Sequence, residues 1–136
     1  MPKMIFVNLP ISDLARSTTF YEALGGAKNP KFSDETSARM VFSKSIYTML
    51  LTHEKYRRFT SKPITDTHAT SAALLTMSVD SRDEVNATID RAVAAGGQAD
   101  PNPKQDHGFG LGRSIQDPDG HMREIFWMDP ANAGGA

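Results

Sequence analysis

The sequence predicts an α+β fold in which one plan, strand–helix–strands (βαβββ), is used twice. Three observations predict it. Runs with a two-residue apolar period alternate with stretches of helical period, in the same order in both halves. Each helical stretch opens at an oxygen-bearing cap residue and closes on a glycine pair, Gly25-Gly26 or Gly96-Gly97. A polar stretch, 53–72, rich in Thr and Ser and carrying Pro63, separates the halves.

Residues 4–11 alternate as a first strand. Ser12 or Asp13 can cap the helix that follows, where Leu14, Tyr21 and Leu24 recur at helical spacing. Residues 38–42 and 46–52 read as a β-hairpin around Ser43-Lys44-Ser45. The first module therefore spans about 4–52, and 53–72 is a linker with a helical turn near Lys55. The second module, about 73–130, opens on a strand at 73–79. Ser81 and Glu84 form a capping box, because the serine oxygen can accept from the amide three residues on while the glutamate reaches back. Val85, Ile89, Ala92 and Val93 give that helix one buried stripe. Residues 112–116 and 121–128 then flank Asp117-Pro118-Asp119-Gly120. Residues 99–110 read as a long loop of the kind that often serves as a functional lid. The tail, 131–136, has no anchoring residue and is expected to be mobile.

Composition narrows the function classes. A net charge of −1 gives no field for polyanions. The one basic cluster, Lys55-Tyr56-Arg57-Arg58-Phe59, stands without a wider basic stripe, so it reads as a solvated face and no nucleic-acid partner is expected. No run is long enough for a membrane span, and no secretory signal precedes the first strand. With no cysteine, disulfides, thiolate catalysis and cysteine-bound zinc are excluded, and a cytoplasmic location is expected.

The segment richest in chemistry is Asp117-Pro118-Asp119-Gly120 and the strand after it. Proline presets φ, aspartate bonds back to the backbone, and glycine takes the positive φ that closes the turn. Beyond the turn, Met122, Glu124, Phe126 and Met128 share one strand face, with a carboxylate among large apolar neighbours. Such a group is costly to bury unless a cation, a donor or a ligand offsets it. Of the four histidines, His53, His68, His107 and His121, no two stand at metal-ligand spacing on one element. His107 has the best functional placement, because the glycines beside it permit close approach of a ligand. Gly108-Phe109-Gly110-Leu111-Gly112 lacks the strand-to-helix context and the Lys-Ser/Thr of a phosphate loop. Arg39 and Arg113 occupy similar places in the repeat, and each would serve either as a clamp for an anionic substrate or as half of a surface salt bridge.

The Asp-Pro-Asp-Gly turn, with Glu124 four residues beyond it and Phe126 soon after, resembles the closing hairpin of the vicinal oxygen chelate superfamily, which holds glyoxalase I, extradiol dioxygenases and the bleomycin- and fosfomycin-resistance proteins. Residues 6–14, then Phe20-Tyr21 and Leu24-Gly25-Gly26, are similar to that superfamily's first strand, its short helix and its glycine stop. The resemblance covers roughly 4–130 and is closest to the glyoxalase-like, "predicted lactoylglutathione lyase" branch. It implies an open, curved mixed sheet around a cleft, helices outside, a homodimer, and a divalent metal (Zn, Ni, Mn or Fe) held by His, Gln or Glu on the first and last strands of each module.

Carried over position by position, those ligand places fall on Phe6, Thr48, Leu74 and Glu124. Only Glu124 is of ligand type there, because Phe and Leu cannot bind a metal and Thr is a poor ligand. Asn8 shares a strand face with Phe6 and could supply an oxygen. The expectation is a glyoxalase-like protein with no cofactor and a degenerate metal site, binding a small molecule in its cleft through Phe6, Asn8, Thr48, Leu74, His107, Arg113 and Glu124. The alternative is a metal-dependent lyase or isomerase of lactoylglutathione-lyase type, or a dioxygenase-type enzyme, with Glu124 as its catalytic base or ligand.

Overall fold

In a computed structural model the chain is α+β with two mixed sheets, both open rather than closed into barrels. The structure describes residues 3–132. The chain divides between Asp66 and Thr67 into two compact units.

The first unit runs β1 (Ile5–Ile11), α1 (Leu14–Ala23), β2 (Ala27–Asn29), β3 (Ser37–Val41), β4 (Ile46–Thr52) and a short α2 (His53–Tyr56). Its sheet has the order β1-β4-β3-β2, with β1 parallel to β4 and the other pairs antiparallel. Asp13 caps α1 by accepting the Arg16 amide at 3.1 Å. The helix ends in a Schellman arrangement: Gly25 donates to Glu22 and Gly26 to Tyr21, with Gly25 at φ 113°. Side chains alternate across each strand, so Leu9, Ile11, Leu50, Met40 and Ala38 face the helix layer and are buried with Phe20 and Tyr21. Those two rings meet edge-on at 5.0 Å.

The second unit repeats the plan with β5 (Leu74–Ser78), α3 (Arg82–Ala94), β6 (Gln98–Ala99), β7 (Gln105–Asp106), β8 (Gly110–Gln116) and β9 (Met122–Met128). β5 is parallel to β9, and β9 is antiparallel to β8. β6 and β7 both pair with β8, as one edge strand broken in two. Ser81 accepts the Glu84 amide, and Glu84 reaches back to the Asp80 amide rather than to that of Ser81, so the capping box is offset by one residue. Val85, Ile89 and Ala92 are fully buried with Leu111, Ile115 and Ile125. Val93 departs from the predicted stripe: it is 44% exposed, and Thr88 takes the buried place instead.

The stretch 99–110, predicted as a long loop, is largely tied to β8. Asp100 donates its amide to the Ser114 carbonyl, and the Asn102 amide donates to the Ser114 hydroxyl. Strands of two residues are too short to show a period, so the sequence left them unmarked. At the chain end Pro130–Asn132 forms a 3-10 turn, and the rest of the tail expected to be mobile lies outside the described residues.

The turn between β8 and β9 is built as its sequence demands. Asp117 accepts the amides of Asp119 and His121 on one carboxylate oxygen, and the Gly120 amide donates to the Asp117 carbonyl. Thr67 donates its hydroxyl to the Asp119 carbonyl, so the start of this unit lies over its own turn. Gly120 sits at φ 91°, and a Cβ there would fall 2.6 Å from the His68 nitrogen and the Thr67 carbonyl carbon. Gly120→Ala is therefore expected to lower stability by about 2–3 kcal/mol, since a strained φ and a clash with main chain act together. Urea unfolding measures this; an unchanged midpoint would mean that the Thr67–His68 backbone moves aside freely.

Candidate functional site

Each sheet has one face under its helix and one face open, and the pairing register decides which residues lie where. In the first unit Phe6 pairs with Tyr47 and Asn8 with Met49, while Met49 pairs with Arg39. Those five residues share the open face. Phe6 stacks on Tyr47 at 4.5 Å, and the Arg39 guanidinium lies 5.1 Å from the Phe6 ring and 4.2 Å from the Phe32 ring. Thr48 belongs to the opposite face. It pairs with Val7 and Met40 in the helix layer and is 1% exposed. Counting from the hairpin start sets Thr48 level with Glu124, yet by sheet face the two differ, because a one-residue offset reverses every side chain.

In the second unit Glu124 is half-buried on the open face of β9, beside Thr76 of β5 and Ser114 of β8. Leu74, 65% exposed, lies on the same face one step along, opposite Met122. Phe126 continues the apolar border. The Glu124 carboxyl carbon lies 3.9 Å from where a Cβ would sit at Gly112, so the missing side chain leaves room for the carboxylate. Among the described residues Glu124 has no hydrogen-bond or ion-pair partner. The Ser114 hydroxyl is already engaged with Asn102, as acceptor of its amide and donor to its carbonyl. Thr76 and Ser114 went unnoticed in the sequence, although a count of two from Leu74 and from Gly112 reaches them.

Arg113 does not stand beside Glu124. Its register partner is Ile125, on the helix side. There it makes a double contact with Asp100, at 3.1 and 2.7 Å, and donates to Asn86 of α3 at 2.9 Å. Hydrogen bonding from Arg113, then its charge, holds the Asp100 carboxyl below its ordinary value of 3.8 against the opposing effect of burial. Asp100, at φ 52°, occupies a left-handed position that aspartate tolerates better than most residues. Arg113 is thus the pin that closes the stretch after β6 onto α3 and β8.

His107 lies on the exposed turn after β7, its ring stacked on Phe109 at 5.8 Å. Arg82 holds that turn by donating to the Gly108 carbonyl at 2.8 Å and pairing with Asp106 at 3.0 Å. The Asp106 carboxyl is lowered from its ordinary value, first by the Gly108 amide and then by Arg82.

The family model for the Glyoxalase/Bleomycin resistance protein/Dioxygenase superfamily matches residues 3–125. The chain belongs to this superfamily. Similar solved structures agree. A glyoxalase-related enzyme from Fulvimarina pelagi superposes with a TM-score of 0.78 at 26% identity, covering 100% of this chain and 96% of that one. A glyoxalase/bleomycin resistance protein/dioxygenase family enzyme from Burkholderia phytofirmans gives 0.73 at 18%, covering 93% and 99%. The fosfomycin resistance protein FosX from Mesorhizobium loti gives 0.68 at 13%, covering 96% of both chains, which shows the fold alone. No curated protein matches the chain.

Superfamily members often use a divalent metal, which asks for several converging donors. Among the described residues no group of three or more His, Cys, Asp or Glu side chains converges. The register sets Thr76 and the engaged Ser114 beside Glu124, with Met122 and Phe126 before and after it on the strand; Leu74 and Gln116 flank Met122, and Ser78 and Gly112 flank Phe126. One carboxylate with a hydroxyl neighbour does not make the three protein ligands that a catalytic zinc site uses. Within its own unit, the residues around Glu124 do not fit the group.

The Asp100–Arg113 pair has a pH signature. A carboxyl with a depressed folded pKa stabilises above its unfolded pKa and loses that contribution as pH falls through the folded one. Asp100→Asn is expected to cost about 1–2 kcal/mol at pH 7, the pair being mostly but not fully shielded from water. The gap to the parent should close as pH drops below about 4. Urea melts at pH 7 and pH 3 test it; a gap independent of pH would mean that shape, not charge, matters here.

Proposed function

We propose that this superfamily member binds a small molecule in the cleft that the resemblance implies, without the usual divalent metal, and that Glu124 is the polar anchor. The supporting observation is the state of Glu124: a half-buried carboxylate on an open strand face, unpaired among the described residues and bordered by Leu74, Met122 and Phe126. A ligand fitting that border is amphipathic, with a cationic or donor-rich head for the carboxylate and an apolar body for the side chains around it. Phe6 and Asn8, on the open face of the first unit, are proposed as further ligand contacts. The burial of Thr48 and the pairing of Arg113 support neither of these two as one. His107 is proposed as a contact through its exposed turn. The metal-assisted lyase, isomerase or dioxygenase reading needs donors beyond Glu124, and no observation favours it.

Among the described residues no helix is long and apolar enough to cross a membrane. A cytoplasmic homodimer is proposed from the cysteine-free sequence and from the family habit of pairing. Sedimentation at micromolar concentration should give a two-chain mass, and a single-chain mass removes the dimer.

The anchor is tested with amphipathic amines, benzyltrimethylammonium among them, by calorimetry. Glu124→Gln is expected to weaken binding by about 1–3 kcal/mol with little loss of stability, because the amide keeps the shape and removes the charge. Equal binding by both proteins would remove Glu124 as a charged anchor. A stoichiometric Ni, Zn, Mn or Fe ion held by Glu124 in purified protein would overturn the metal-free reading and restore the enzyme.

A further inference from the structure

We infer that the open face of the first unit is a carboxylate-recognition site, in which Arg39 takes the anion and the rings of Phe6, Tyr47 and Phe32 take an aromatic or alkyl body. The inference rests on the geometry of this unit and not on the charge of Glu124, although Phe6 is also among the contacts proposed above.

Three observations carry it. Arg39 is held between two rings, 5.1 Å from Phe6 and 4.2 Å from Phe32, and Phe6 is itself stacked on Tyr47. These contacts fix the plane of the guanidinium without using its terminal N–H groups, since a ring face attracts the cation as a whole. Second, Arg39 has no ion pair or side-chain hydrogen bond among the described residues, and its Nε is buried without an acceptor. A buried donor without an acceptor is costly, a cost that packing between two rings does not by itself require. Third, Lys31 lies 5.9 Å from the same Phe32 ring, and it too has no carboxylate partner among the described residues. Two cations share one exposed ring, Phe32 being 49% exposed, and neither has an ion-pair partner among the described residues.

A planar carboxylate matches the paired Nη groups in a way that a point anion does not. The Phe6–Tyr47 stack supplies the apolar contact beside it, and Phe6 is 36% exposed, so a ring can reach it. The competing explanation is that Arg39 is only a rivet between Phe6 and Phe32. A rivet needs no charge, and methionine or leucine would fill the gap without leaving a donor unpaired.

Titration of the full chain with benzoate, followed by amide NMR, separates the two explanations. Shifts should centre on Phe6, Arg39 and Tyr47. Benzamide, the neutral isostere, should bind about ten- to a hundredfold more weakly, and Arg39→Gln should lose benzoate affinity by a similar factor. Arg39→Lys should keep part of it, as a cation without the planar fork. Benzamide binding as tightly as benzoate to the parent overturns the inference without needing any variant. So does an Arg39→Gln protein that binds benzoate unchanged, the outcome a rivet predicts. Inorganic phosphate binding as tightly as benzoate would overturn the role given to the rings.

Discussion

The two-residue alternation of side chains across a paired strand is the constraint on which both units depend. Once β1 pairs with β4 in parallel, so that Leu9 meets Leu50 and Ile11 meets Thr52, the helix layer receives Val7, Leu9 and Ile11 and the open face receives Phe6 and Asn8. Burial of a large apolar side chain is worth about 1.5–3 kcal/mol, so several buried together under α1 hold the register firmly. A slip of one residue would expose that set and bury Phe6 and Asn8 in its place. The same holds for β5 and β9, where Met77 beside Ile125 fixes Thr76 beside Glu124. The apolar core thus decides, from the far side of each sheet, which polar groups a ligand can meet.

Ends of elements do the complementary work. Asp13 and Ser81 satisfy the first amides of their helices, and both helices stop with matching bonds, Gly26 to Tyr21 and Gly97 to Ala92. These caps set where each helix lets go of the chain and so where the next strand begins. In the second unit the Asp117 carboxylate organises the turn that leads into β9, and Glu124 lies on the strand that turn aims.

The features legible in the sequence were those with a local cause. Cap residues, glycine stops and the Asp-Pro-Asp-Gly turn act through bonds a few residues long, and each stands where its residues predicted, save that Glu84 reaches one residue beyond its expected partner. The missed features have causes remote in the chain. β2 is three residues, Ala27–Asn29, and exists because β3 offers an edge. Arg113 is committed by Asp100, thirteen residues away, and by Asn86, twenty-seven away, neither of which its own strand reveals. Counting along two hairpins sets Thr48 level with Glu124, and counting cannot see which face the pleat presents. Val93 follows a helical period but is 44% exposed, with Thr88 buried in its place. At the candidate site the sequence marked Glu124 and its apolar neighbours on β9, whereas the flanking Thr76 and Ser114 required knowledge of the register.

The charged side chains divide by what they serve. Arg113 and Arg82 each bind a carboxylate and each close a stretch of chain against its own unit. Those pairs serve the fold, and their acids sit below ordinary values for that reason. Glu124 and Arg39 serve no such closure. Each is partly buried on an open sheet face and lacks an opposite charge among the described residues. A fold gains nothing from keeping such groups in place of apolar ones of similar size, since partial burial removes water without supplying a partner. Chelation chemistry asks for several donors around one point, and among the described residues no three His, Cys, Asp or Glu side chains gather. Recognition asks for less: one fixed charge, a wall of apolar side chains, and free space in front. Each face offers one such charge beside apolar side chains, and the proposed binding reading rests on that arrangement.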